Sequence, residues 1–289
     1  MPSPSIPESL AALIERCRGA DGQPPFSDGT LVQLRTGEKT LLELGSPASD
    51  AAAIYSAAIY SAAIYSAAIY SMTEAEFVVD PAQRGQGIGT RLLEQLLQRC
   101  APGVKIWAHG DHPAARTLAA SHGFVPVRRL LQLRAPVTAS PVSDGSTTGF
   151  RPGVDDDDWL ALNARAFASH PEQGSVGQPD LTELTVEPWF DPDDFLLLRD
   201  GGALIGFCWL KIEDSIGEFY VVGVDPRRQG EGLGRRLMDA GLSHLAARGI
   251  RTAALYVESD NVPAVGLYRS LGFTDHTVDI QYARASDRG

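Results

Sequence analysis

Three cysteines in 289 residues, Cys17, Cys100 and Cys208, are too scattered and odd in number for a disulfide framework or a paired zinc site. They read as reduced thiols, as in a cytoplasmic protein. No stretch reaches the roughly 18 to 20 apolar residues needed to span a bilayer, and the N-terminus lacks a basic segment followed by an apolar run. A soluble, cytoplasmic monomer with no membrane partner is therefore expected. A basic stripe is missing too: the net charge is -11, with Asp and Glu spread along the chain, which argues against a nucleic-acid partner. No Gly-Lys-Ser or Gly-Lys-Thr follows a glycine-rich turn, and the glycine spacing is not that of a dinucleotide fingerprint, so nucleotide hydrolysis and hydride transfer are set aside.

What is present is 44% hydrophobic and 21% charged residues, an ordinary globular composition, with length for two cores. The chain repeats itself. Val79-Asp80-Pro81 followed by Arg84-Gly85-Gln86-Gly87-Ile88-Gly89 returns as Val224-Asp225-Pro226 followed by Gln229-Gly230-Glu231-Gly232-Leu233-Gly234, 145 residues on. Trp107-Ala108-His109-Gly110-Asp111 and Gly123-Phe124 return as Tyr256-Val257-Glu258-Ser259-Asp260 and Gly272-Phe273, 149 residues on. Two blocks in the same order mark a duplicated domain. Residues 136–149 between the copies are rich in Pro, Ser, Thr and Gly and read as a linker, giving domains at 1–135 and 150–289.

In the second copy, residues 195–198 and 203–211 read as strands joined by the turn Asp200-Gly201-Gly202, with a further strand at 218–224. Leu233, Leu237, Ala240, Gly241, Leu242 and Leu245 fall at helical spacing, followed by a strand at 252–257, a helix at 262–271 and a last strand at 274–282. This is an α/β fold with a sheet of mixed direction. Residues 53–71 depart from the pattern by repeating Ile-Tyr-Ser-Ala-Ala. A period of five gives no single buried face in a strand or a helix, so one copy is expected to be a native strand and the rest an expansion.

Strand, Asp-Pro, close-set glycines and then an amphipathic helix together present backbone N–H groups to an anion, pyrophosphate being the natural occupant. The pattern Arg/Gln-x-x-Gly-x-Gly, met by Arg84, Gly87 and Gly89 and by Gln229, Gly232 and Gly234, resembles the pyrophosphate loop of the GNAT acetyltransferases, and the resemblance covers both halves. It implies two tandem GNAT domains, each a mixed, mainly antiparallel twisted sheet flanked by helices, and acetyl-CoA as acetyl donor with no metal. It also implies a β-bulge on the strand before the loop, for which Gly223 is the easiest place.

Carried over residue by residue, the coenzyme contacts in the second copy are Val222, Gly223, Val224, Gln229, Gly230, Glu231, Gly232, Leu233, Gly234 and Arg235, then Asn261, Val262, Pro263, Ala264, Val265 and Gly266. In the first copy they are Phe77, Val78, Val79, Gly85, Gln86, Gly87, Ile88, Gly89 and Thr90. Acetyl transfer to an amine needs a base, an oxyanion site and a proton for the departing thiolate. Glu218, seven residues before Asp225, is the candidate base, and Tyr268 resembles the GNAT tyrosine that protonates the thiolate. Counting back the same way, the first copy has Thr73 before Asp80 and Ala119 before Gly123, so catalysis is expected in the second copy only.

Further strings resemble the mycothiol synthases among these enzymes: Trp107-Ala108-His109-Gly110, His170-Pro171-Glu172-Gln173-Gly174, Trp189-Phe190-Asp191-Pro192 and Tyr256-Val257-Glu258-Ser259-Asp260-Asn261. That resemblance implies a cysteinyl-glucosaminyl-inositol as the amine substrate, contacted by Asp28, Glu172, Lys211, Glu218 and Tyr256. A tandem acetyltransferase for an aminoglycoside or a protein N-terminus, and a non-enzymatic acetyl-CoA-binding regulator, are the alternatives.

Overall fold

The computed structural model describes residues 6–44, 64–138, 147–168, 170 and 173–285. In chain order the elements are α1 (Glu8–Asp21), α2 (Asp28–Thr36), β1 (Thr40–Leu44), β2 (Ser66–Tyr70), β3 (Glu74–Val79), α3 (Ile88–Arg99), β4 (Lys105–Ala108), α4 (Pro113–Ser121) and β5 (Phe124–Pro136). Then follow β6 (Thr147–Gly149), α5 (Asp156–Ala166), α6 (Gln178–Leu184), β7 (Phe195–Asp200), β8 (Ala203–Glu213), β9 (Ile216–Val224), α7 (Leu233–Ala247), β10 (Thr252–Glu258), α8 (Val262–Ser270) and β11 (Thr274–Arg284). They form two compact units, residues 1–130 with 277–289, and residues 131–276. No helix among the described residues is long and apolar enough to cross a membrane.

This division differs from the expected domains at 1–135 and 150–289, because two strands each serve both units. The end of β11 pairs antiparallel with β4 (Ile280 opposite Ala108, Tyr282 opposite Ile106), and the Ala285 N–H donates to the Gly123 carbonyl, which assigns residues 277–289 to the first unit. The end of β5 supplies Leu133 and Ala135 to the core around Phe273 and Val257 in the second. Much of the expected linker, residues 139–146, lies outside the described residues.

In the first unit β1, β2 and β3 run antiparallel and β3 lies parallel to β4. β2 is one copy of the five-residue repeat, paired on both edges, as expected of a native strand. The copies at 53–63 lie outside the described residues. On β3, Ala75 and Phe77 pack towards the core of α3 and α4, while Val78 packs towards α1 and α2 with Leu10, Leu13 and Phe26. Glu74 and Glu76 alternate onto that second face.

In the second unit β6, β7, β8 and β9 are antiparallel and β10 is parallel to β9, as the strand and turn signals indicate. One face carries α7 and α8 over Phe219, Leu237, Leu245 and Phe273. The other carries α5 and α6 over an aromatic core in which Trp209 stacks on Phe195 at 4.3 Å between ring centres.

The bulge in β9 lies elsewhere than expected. Trp209 pairs with Val221 and Leu210 with Phe219, which leaves Tyr220 as the extra residue, whereas Gly223 pairs regularly with Phe207. Gly223 answers a packing need instead: a Cβ there would stand 2.5 Å from the Phe207 ring.

The first unit also encloses a charged network. Buried Glu76 accepts from the Ser27 N–H (2.8 Å), the Ser27 hydroxyl (2.9 Å) and the Thr30 hydroxyl (2.7 Å), and faces His109 Nε2 at 3.2 Å. His109 Nδ1 faces Asp279 on β11 at 2.9 Å. Burial disfavours both charged forms, yet the imidazolium and the Ser27 and Thr30 donors hold the Glu76 carboxyl below its usual range. Glu76 and Asp279 in turn raise His109. A raised histidine stabilises fully below its ordinary value of 6.5 and loses that contribution as pH climbs through its higher folded value. Unfolding stability of the first unit should therefore decline above pH 6.5. The His109→Gln variant should be weaker at pH 6 and flatter above it; urea titrations giving equal alkaline slopes would reject this role.

Candidate active site

Each glycine-rich loop is built by the same local chemistry. The Asp80 and Asp225 carboxylates cap the turn that begins at Pro81 and Pro226, accepting from the Ala82 and Arg227 N–H groups at 3.0 Å. Asp225 also pairs with Arg227 Nη2 (2.6 Å) and Arg165 (3.4 Å), and the Arg227 guanidinium holds its carboxyl well below the usual range. Gly230 and Gly232 take φ of 85° and 77° with open space where a Cβ would stand, a conformation that favours glycine. Gly234 differs: its Cβ would lie 3.4 Å from Leu267, so it lets α7 approach α8.

The first helical bond of α7 runs from the Arg236 N–H to the Gly232 carbonyl, so the N–H groups of Leu233, Gly234 and Arg235 point out of the helix start without a helical acceptor. The Glu231 side chain is held by Arg228 at 2.7 Å, and Arg235 reaches Ser270 at 3.3 Å. Any contribution of Glu231 to the loop is thus through its backbone.

Beside the loop, β9 and β10 part. Their parallel pairing runs from Ile216–Thr252 to Phe219–Leu255, and both strands continue beyond it to Val224 and Glu258. Val222 and Val224 face α7, and Asn261 caps α8, its side chain accepting from the Ala264 N–H at 3.3 Å. Val262, Pro263 and Gly266 are exposed, while Ala264 and Val265 pack against the core. The parted strands lie beside the outward N–H groups at the start of α7, an arrangement suited to an elongated ligand with its anionic part at α7.

The two candidate proton carriers approach from opposite faces of the sheet. Glu218 pairs across β8 with Lys211 and sits beside Ala254 of β10. Lys211 is buried, with Nζ 5.2 Å over the Trp189 ring and 2.9 Å from Glu213. Trp189 in turn packs on Tyr220, the bulged residue, at 5.1 Å. Tyr256, two residues beyond Ala254, shares that face, and its hydroxyl accepts a bond from Gln132. On the other face Tyr268 lies in the α7–α8 core, 6.1 Å from Phe273, where burial pushes its phenol up to about 12. Lys211, Glu218 and Tyr256 are therefore brought together. Asp28 belongs to the first unit, in the first turn of α2. Glu172 lies outside the described residues, while Gln173 just after it is tied to buried Asn163 by two bonds of 2.7 and 2.9 Å. Trp189 and Tyr220 were not identified as site residues from the sequence; the aromatic string at Trp189-Phe190 was the available signal.

In the first unit a cleft of about 770 Å³ follows the equivalent loop, lined by Phe77, Val78, Val79, Gly85, Gly87, Ile88, Gly89 and Thr90, with Trp107, His109 and α4 opposite. Gln86 is outside the lining, its amide 3.3 Å from Gln83. Ala119 matches Tyr268, but the pairing of Thr73 with Glu218 is corrected. The β2–β3 register is regular, without the extra residue of β9. Glu74 sits beside Lys105 of β4 as Glu218 sits beside Ala254 of β10, and Lys105 and Ala254 are equivalent in the duplication. Glu74 is the counterpart of Glu218, and Thr73 is an exposed residue before the strand. No group of His, Cys, Asp and Glu suited to a metal occurs among the described residues.

Residues 159–273 match the acetyltransferase (GNAT) family and residues 50–126 an acetyltransferase (GNAT) domain. The mycothiol acetyltransferase of Clavibacter michiganensis subsp. michiganensis is 46% identical over 98% of this chain and 93% of its own. That of Thermobispora bispora is 43% identical over 98% and 97%. In fold the chain is similar to a GCN5-related N-acetyltransferase from Sphaerobacter thermophilus (TM-score 0.67, 22% identity, 96% of this chain and 91% of that one). A tandem GNAT protein from the clavulanic acid pathway is also similar (TM-score 0.65, 14% identity, 95% and 93%).

Asp225→Ala removes a cap and the carboxylate that collects Arg165 and Arg227, so stability in urea should fall by about 0.5–2 kcal/mol. Because the folded pKa is depressed, the difference from the parent should shrink as pH drops below the ordinary value of 3.8. A constant difference down to pH 2 would reject this account.

Proposed function

The chain belongs to the mycothiol acetyltransferase family of GNAT enzymes, and we propose that its second unit transfers the acetyl group of acetyl-CoA to the cysteine amine of a cysteinyl-glucosaminyl-inositol. The observation that carries this reading is the parting of β9 and β10 next to the outward N–H groups at the start of α7, with Glu218 on one face of that sheet and Tyr268 in the core on the other. Acetyl-CoA supplies an activated thioester. The loop from Gln229 to Arg235 fits its pyrophosphate through the outward N–H groups of α7 and the open turn at Gly230 and Gly232.

Glu218 takes a proton from the substrate ammonium, directly or through a water, so that the neutral nitrogen attacks the thioester carbonyl. An α-amine titrates near pH 8, so modest assistance suffices. As the tetrahedral intermediate collapses, the Tyr268 hydroxyl gives its proton to the departing thiolate and is reprotonated, by way of solvent, by the second proton that the nitrogen loses. Lys211 and Tyr256, on the face of Glu218, are polar groups suited to a polyhydroxylated substrate. Glu172 is a further proposed contact, carried over from the resemblance; Asp28, carried over with it, belongs to the first unit. In the first unit the loop offers a second coenzyme site without the acid, since Ala119 stands for Tyr268.

Glu218→Gln should lower kcat by the roughly 10² to 10⁴ typical of a general base, with partial recovery at high pH. A pH–rate profile identical to that of the parent would exclude the assignment.

Tyr268→Phe should slow acetyl transfer with little change in acetyl-CoA affinity, because the hydroxyl acts only as the thiolate departs. Weakened coenzyme binding at normal turnover would make Tyr268 a binding residue instead.

A further inference from the structure

We propose that the first unit keeps the acceptor side of an acetyl-transfer site but fills it with an ammonium of its own chain, that of Lys39. The proposal rests on the reading of Glu218 as the group that meets the substrate amine. Its counterpart Glu74 stands on the matching strand, at the matching register, on the face covered by α1 and α2 as the face of Glu218 is covered by α5 and α6. There the Lys39 ammonium, only 6% exposed, lies 3.0 Å from Glu74 Oε2 and donates to the Thr30 hydroxyl at 2.8 Å.

The remaining contacts define a finished site. Glu74 Oε1 accepts from the Trp107 indole N–H at 2.9 Å and from the Gln281 amide at 3.2 Å, and Trp107 is the equivalent of Tyr256. The Thr30 hydroxyl donates its own hydrogen bond to Glu76 at 2.7 Å, which leaves its oxygen to accept from Lys39. A primary ammonium, a carboxylate and a hydroxyl acceptor thus meet behind the wall of the cleft that Trp107 and His109 line. A bulky or fully substituted ammonium lacks the N–H donors this arrangement uses.

The site therefore has a defined ligand class, a primary alkylammonium. Cutting Lys39 back to alanine removes a propylammonium unit and leaves Glu74 and Thr30 in place around the space. In the full chain, Lys39→Ala should unfold at lower temperature than the parent. Propylammonium chloride should raise its midpoint saturably, as ligand linkage requires. Tetramethylammonium chloride at equal ionic strength should not, and the parent should respond alike to both salts. Adding Glu74→Gln to Lys39→Ala should abolish the selective response. The proposal is overturned if the two salts act equally on Lys39→Ala, or if the double variant keeps the selectivity. Should Lys39→Ala fail to fold in plain buffer, dilution from urea into either salt decides: recovery with propylammonium alone supports the site, and equal recovery or equal failure refutes it. Because unfolding is the readout, an error about Glu218 would appear in turnover and leave this result unaffected.

Discussion

One extra residue in β9 sets which face of the sheet each side chain around the strand opening takes. Side chains alternate along a strand, so an inserted residue reverses the face of everything before it relative to everything after. With Tyr220 bulged opposite the Trp209–Leu210 step, Val222 and Val224 face α7 while Glu218 turns to the aromatic side with Lys211. The bulge has its own anchor, since Tyr220 packs between Trp189 and Trp209 at 5.1 and 5.5 Å. The same step marks where β9 leaves β10, as their pairing stops at Phe219–Leu255. The face that Glu218 takes relative to Val222 and Val224 thus follows from a single irregularity in the ladder, and the first unit reaches the same arrangement at Glu74 with one residue fewer.

The glycines of the loop divide their labour around that opening. Gly230 and Gly232 serve the backbone turn, and Gly234 serves helix contact, which draws α8 and with it Tyr268 towards α7. Glu218 and Tyr268 stand on opposite faces of the sheet, so in the proposed reaction proton removal and proton delivery come from different sides. Burial in the α7–α8 core raises the Tyr268 phenol, so it is neutral at neutral pH.

Much of this was legible in the sequence for physical reasons. The hairpin turn at Asp200-Gly201-Gly202, the helical spacing from Leu233 to Leu245 and the doubled Asp-Pro-glycine unit are local signals, and each appears where periodicity and turn chemistry put it. What could not be read is non-local. A bulge depends on the register of the partner strand, so counting seven residues back from each aspartate led to Thr73, one residue past Glu74. Gly223 attracted the bulge as the most permissive residue of the strand, yet its freedom is used for the ring of Phe207. The return of residues 277–289 to the first unit depends on Asp279 meeting His109 and Gly110, residues about 170 positions earlier, which no window on the sequence contains.

The first unit shows how a duplicated site can be closed by its own polar groups. Buried charges cost several kcal/mol each unless paired; Glu76 is met by His109, Ser27 and Thr30, and buried Lys39 by the half-buried Glu74. Those partners turn a reactive arrangement into a structural one, tying α2 and β11 to the sheet. Closure is also redundant, because the opposite face of the sheet carries Ala119 where the second unit has a phenol. Any coenzyme in the 770 Å³ cleft would then meet neither an open acceptor position nor a proton donor for its thiolate. Regaining transfer there requires two independent changes on opposite faces of the sheet, one at Lys39 and one at Ala119. Opening the ammonium site alone therefore changes what the unit binds without giving it turnover.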